Sequence, residues 1–136
     1  MISNLRRGRG RTRLLGGNAD EAISSLKPKV GKGTRIYPLA EVSPMAVIGK
    51  NCKVSTSARV GRCVIGEGSY IGFRAKIYNN VHLGKGCRIE KYAEVLPDSW
   101  LGDGVIVENG AKVQGIFGAN VKVGAGSIAR RMWNLL

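Results

Sequence analysis

Histidine, cysteine and carboxylates are scarce in this chain, and each shortage removes a class of chemistry. His82 is the single histidine among 136 residues, and no group of cysteines or carboxylates has metal-ligand spacing, so no metal site is expected. The three cysteines, Cys52, Cys63 and Cys87, are an odd number and offer no disulfide framework. No P-loop or dinucleotide-binding glycine motif occurs. No apolar run of about 18 residues is present to span a bilayer, and the charged N-terminus lacks the apolar stretch of a secretory signal. A cytoplasmic protein without a transmembrane segment is expected. Nine acidic residues face 22 lysines and arginines, for a net charge of +13. Residues 1–29 hold seven basic and two acidic side chains and residues 30–136 hold fifteen and seven, so both parts attract anions.

What is abundant is repetition. Between residues 30 and 128 an aliphatic or Phe residue returns almost every six positions, as in Val42, Ile48, Val54, Val60, Ile65, Ile71, Ile77, Leu83 and Ile89. Two places before each stands a small side chain, such as Ala46, Cys52, Ala58, Cys63, Ser69, Ala75 and Cys87, and none in that series is charged. A period of six fits neither a helix nor a plain strand, which marks a repeat protein. Residues two apart on an extended backbone face the same side, so the small and the aliphatic residue both point inward. Gly or Asn near each turn supplies the positive φ that a corner needs. Three corners close a triangular coil, and stacked coils pair as parallel strands; seventeen hexads give roughly 5.7 coils, a prism about 27 Å long. The cysteines lie at inward small positions, where a thiol packs as a small hydrophobe.

Two units are short, residues 60–64 with five residues and residues 113–116 with four. They lie three whole coils apart and trim the same side of the triangle. Sorting the residue before each aliphatic guide by side gives three outward rows. The first is Arg35, Lys53, Tyr70, Arg88, Ile106 and Lys122; the second is Glu41, Arg59, Lys76, Glu94, Lys112 and Ile128. The third is Val47, Val64, His82, Trp100 and Ile116, which carries no formal charge and reads as an interface strip.

Around this core, residues 1–17 place five arginines among Gly and Thr and read as a flexible basic arm, able to hold an anionic partner such as nucleic acid, an anionic glycan or a membrane surface. Residues 18–29 read as a short capping helix and linker, begun by Asn18 and limited by Pro28. Residues 30–128 form the repeat domain. Residues 129–136 form a C-terminal cap, with Met132, Trp133, Leu135 and Leu136 closing the prism.

The hexads Ile48-Gly49-Lys50-Asn51-Cys52-Lys53 and Leu83-Gly84-Lys85-Gly86-Cys87-Arg88 resemble the motif of the hexapeptide-repeat proteins, most of which are acyltransferases. The resemblance covers about three quarters of the chain. It implies an all-β fold, a single-stranded left-handed parallel β-helix of about 5 to 6 triangular coils; the left hand comes from the family, since the usual preference for right-handed crossovers argues the other way. It also implies a homotrimer of parallel prisms, acyl-CoA (acetyl-CoA) as cosubstrate with no bound cofactor, and a catalytic histidine in the cleft between subunits. In that scheme His82 is the base, Asn79, Asn80, Lys85 and Trp100 surround the acceptor, and Lys122, Arg130 and Arg131 receive the nucleotide phosphates. A zinc carbonic anhydrase on the same fold needs more histidines than one per chain. Acyl transfer to a sugar or a small hydroxyl or amine acceptor is the function implied. The alternative is a non-catalytic trimeric prism that binds an anionic partner, which fits the absence of an inserted loop between coils.

Overall fold

The computed structural model describes residues 26–131. Within them the backbone winds through three flat faces, most strands being two residues long and separated by turns. The inward pairing of small and aliphatic residues sets this period. In Cys63–Ile65 the three residues run buried, exposed, buried, so hydrophobic burial selects one side of each strand and leaves the middle residue to the outside.

Every strand pairs in parallel with the strand one coil away. On the first face Arg35 pairs with Lys53, Lys53 with Tyr70, Tyr70 with Arg88, Arg88 with Ile106, and Ile106 with Lys122. On the second face the register runs Glu41, Arg59, Lys76, Glu94, Lys112, Ile128. On the third it runs Val47, Val64, His82, Trp100, Ile116. All three outward rows of the hexads are therefore real hydrogen-bonded registers.

The two short units fall at one corner, between the second and third faces. At residues 113–116 no turn remains: Lys112–Phe117 runs as one strand through both faces and fuses them into an 11-stranded sheet, while the first face stays a separate sheet of six strands. The interior is a column of guides, with Val54, Ile71, Ile89 and Val107 buried behind the first face and Ala58, Ala75, Ala93 and Ala111 filling the space beside them. Small residues suit these positions because three strands converge on a narrow axis.

One inward row also fastens coil to coil. The Thr34 hydroxyl donates to the Gly49 carbonyl at 2.6 Å and accepts from the Cys52 amide at 3.0 Å. Two coils on, Ser69 repeats the pattern, donating to Gly84 and accepting from the Cys87 amide, both at 3.1 Å. The thiols of Cys52 and Cys87 donate to the Gly66 and Gly102 carbonyls at 3.2 Å. Two of the three cysteines are thus weak donors as well as packing groups, and all three are free and buried.

At the N-terminal end the guides Val30 and Ile36 remain exposed. The basic arm and most of the expected capping helix lie outside the described residues; Leu26 to Pro28 are not helical, and Lys29 already belongs to a strand. At the other end Ile128–Arg131 is a strand paired with Lys112–Gly115, so the repeat continues past residue 128; residues 132–136 of the expected cap lie outside the described residues. No helix is present among the described residues.

Ile71 is fully buried at the centre of the column. Ile71→Asp sets a carboxylate among apolar guides with no cation to pair it, and should abolish the cooperative thermal transition seen by circular dichroism. Ile71→Ala should fold but lose about 2–5 kcal/mol in denaturant titration, as expected for a cavity. A native-like transition of the Asp variant would show that this side chain does not face the core.

Candidate functional site

The third face carries a groove of about 880 Å³ that runs along the corner shared with the second face. The short units border it: Arg62, Gln114 and Gly115 line the groove together with Asn80 and Asp98 from the longer turns of the coils between them. Val47, Val64, His82, Trp100 and Ile116 all line this groove. The four apolar members are between 38% and 48% exposed, a continuous uncharged strip on a strongly basic protein.

His82 occupies the middle of the strip because its strand, Val81–Leu83, pairs with Cys63–Ile65 on one side and Trp100–Leu101 on the other. Its imidazole stacks on the Trp100 indole at 5.1 Å between centroids and 9° between planes. The ring is half-buried, and its Nδ1 is buried with no hydrogen-bond partner among the described residues. A buried ring nitrogen without a partner is costly unless something else completes it.

Asn80 lines the same groove with a φ of 59°, and its amide donates to the Asp98 carboxylate at 2.6 Å. Asp98 belongs to the site, although its place in the sequence suggests a solvated corner residue. Its signal was available: Asp98 follows Asn80 by 18 residues, the same interval that separates Trp100 from His82. Arg62, Met45 and Gln114 also line the groove.

The expected substrate and nucleotide residues divide. Asn79 turns away, accepting the Arg62 amide at 2.9 Å and lining a smaller cavity of about 410 Å³ on the second face. Lys85 stands at the next corner, where its amide donates to Asp103 at 2.8 Å, outside the groove. Arg130 and Arg131 do line the groove, carried there by the last strand, and the Arg131 guanidinium lies 5.5 Å from the Phe117 ring. Lys122 is on the first face, in an ion pair with Glu108 at 3.2 Å. The three cations expected to act together therefore lie on two different sides of the prism. Arg62, Arg130 and Arg131 against Asp98 leave the groove cationic.

Cys63 forms part of the groove wall, but burial pushes its thiol up from 9.0 to about 12. Burial also raises the Cys87 thiol, against the opposing effect of its backbone hydrogen bonds. Neither is a thiolate nucleophile near neutral pH.

Parallel coils of hexads in this register define a β-helix of the hexapeptide-repeat class. The chain belongs to the family described as the GMPPB C-terminal domain, whose pattern matches residues 27–123. It is 32% identical over 129 residues to the bifunctional protein GlmU of Thermodesulfovibrio yellowstonii, an alignment that covers 80% of this chain and 28% of that protein. It is 27% identical over 122 residues to the GlmU of a Geobacillus species, covering 76% of this chain and 26% of that protein. The chain thus spans little more than a quarter of these relatives. Among solved structures it superposes with a mutant of perosamine N-acetyltransferase from Caulobacter crescentus, in complex with CoA and GDP-perosamine, at a TM-score of 0.52 and 23% identity, over 74% of this chain and 51% of that one. That likeness is one of fold.

The raised Cys63 thiol has a consequence for stability. Below pH 9 the thiol is protonated in both states; between 9 and about 12 the unfolded chain loses its proton first, so the stability that the buried neutral thiol contributes is lost as pH rises. Urea titrations of the parent chain and Cys63→Ala between pH 8 and 11 should show the parent losing up to about 1.4 kcal/mol per pH unit relative to the variant above pH 9. Parallel curves would mean that the thiol is solvated.

Proposed function

We propose that the chain is a trimeric acyltransferase that moves an acetyl group from acetyl-CoA to a hydroxyl or amine of a sugar or similar small acceptor, with His82 as general base. The observation that carries this reading is the single imidazole in the middle of a cationic groove, stacked on Trp100 and with Nδ1 without a hydrogen-bond partner among the described residues. Imidazole suits the task because its proton affinity lies near neutral pH. His82 takes the proton from the acceptor O–H or N–H as that atom attacks the thioester carbonyl, and returns it to the departing sulfur when the C–S bond breaks. Arg130, Arg131 and Arg62 supply cations for the nucleotide phosphates. Asn80, Asp98 and the Trp100 face are suited to a hydroxylated acceptor. Lys122, Asn79 and Lys85 are left out of this set. The family, and the fold shared with an acetyltransferase, support the reading.

The apolar strip is the contact expected between copies. A second copy against it covers Val47, Val64 and Ile116 and encloses the cleft around His82. A second reading, a non-catalytic trimeric prism, is favoured by one observation: short turns connect all strands from Lys29 to Arg131, with no inserted loop to wall an acceptor.

Two variants test these readings. Trp100→Glu brings a charge into the proposed contact and should sediment as a monomer or precipitate; a normal trimer would remove the strip from the interface. His82→Ala should lower thioester consumption, measured across a panel of sugar acceptors, by about 100-fold to 10,000-fold. Calorimetry should show acetyl-CoA affinity largely kept, because the base acts in the transition state. If neither form binds acetyl-CoA up to about millimolar concentration, the enzyme reading fails and the prism reading stands.

A further inference from the structure

At the corner between the third and first faces the left-handed position is filled, coil after coil, by Gly33, Asn51, Gly68, Gly86, Gly104 and Asn120, with φ between 57° and 83°. These are the residues that tolerate such a backbone. At the corner between the first and second faces the equivalent turn is built with Leu39 at φ 68°, Ser57 at 61°, Arg74 at 58° and Tyr92 at 62°, before reverting to Gly110 and Gly126. A bulky side chain at positive φ is a strained choice, and the first corner proves that the fold does not require it.

The side chains so placed pack against little. Leu39 is 77% exposed and Tyr92 is 53% exposed, and Phe73, beside Arg74, is also exposed. Phe73 and Tyr92 meet edge to face at 5.7 Å on adjacent coils, and Arg74 lies 6.0 Å from the Phe73 ring. From Leu39 to Tyr92 is three coils, roughly 14 Å along a straight convex edge. The turn residues of this edge add Arg74 and Lys91, while the carboxylate of Glu90, at the start of the last turn, is held by Arg88 at 3.0 Å. In a triangular cross-section this edge is the vertex opposite the third face, so it is independent of the groove and of any contact made there.

We propose that this edge is a membrane-contact ridge that docks the protein on an anionic bilayer surface, with Leu39, Phe73 and Tyr92 entering the headgroup region and Arg74 and Lys91 meeting lipid phosphates. A convex line of apolar and aromatic side chains flanked by cations matches the interface of a charged bilayer, where aromatic rings and long cationic stems are both favoured. The net charge of +13 favours the same surface. The two recesses described above lie away from this edge.

The test uses the full chain and vesicles of phosphatidylcholine with and without roughly a third phosphatidylserine, compared by co-sedimentation at fixed salt. The parent should sediment with the anionic vesicles and stay free of the neutral ones. The double variant Leu39→Asn, Tyr92→Asn leaves every charge in place, the arginine-rich segment included, and should partition about tenfold less. Its melting temperature should rise by about 4 °C or more, because Asn tolerates the left-handed backbone. Phe73→Ser, which alters no strained residue, should also bind less. Equal partitioning of parent and variants would mean that charge alone accounts for binding, and no sedimentation of the parent would leave the ridge to another partner; either result overturns the proposal. So would a lower melting temperature in the double variant, since the two side chains would then be packing groups of the fold.

Discussion

The parallel hydrogen-bond ladder between successive coils is the constraint on which the rest of the structure depends. It forces each residue to stand directly over its equivalent one coil away, so every side-chain choice is repeated as a column. Inward columns must be narrow enough for three strands to meet, which explains Ala58, Ala75, Ala93 and Ala111 in one line and the hydroxyls and thiols of Thr34, Cys52, Ser69 and Cys87 in another. The second line is informative about energetics. Carbonyls at the glycine corners gain partners from inward side chains, so polar atoms near the axis of the prism are satisfied without water.

Outward columns carry the differences between faces, and charge separates them. The second face mixes both signs down the register, with Glu41 paired to Arg59 at 3.5 Å and Tyr78 bonded to Glu94 at 3.1 Å. The first face interleaves cations with rings, Lys53 lying 5.3 Å from Tyr37 and Arg88 4.9 Å from Tyr70. These exposed contacts are each worth little, but they hold the long cationic side chains close to the surface. From Val47 to Ile116 the third face has neither charge nor rings except the stacked His82 and Trp100, and it borders the groove of about 880 Å³. The corner where residues are omitted, a difference in length and not in chemistry, is the one that borders the recess beside the single imidazole.

Corners follow a separate rule, because a turn must reach positive φ once per hexad. Where Gly or Asn does this the corner is silent. Where Leu, Arg and Tyr do it, strain is retained alongside exposed apolar area, and the contrast is visible only because a repeat fold supplies equivalent backbone positions for comparison.

The period, the inward columns, the three outward rows and the common side of the two short units were all legible in the sequence, because each hexad repeats one local physical problem and seventeen copies overdetermine the register. His82 and Trp100 could be assigned to neighbouring coils for the same reason. Other matters needed the tertiary structure. Lys122 and Arg130 lie eight residues apart in the sequence but on different sides of the prism, since a turn intervenes between their strands. Asn79 and Asn80 are adjacent yet face different recesses, since the corner passes between them. Asp98 enters the groove through a hydrogen bond to a residue one coil away. Residue identity and spacing determine which column a side chain joins, because burial has a period; the direction of a side chain at a turn is decided only when neighbouring coils are stacked, because its partners come from the coil above or below.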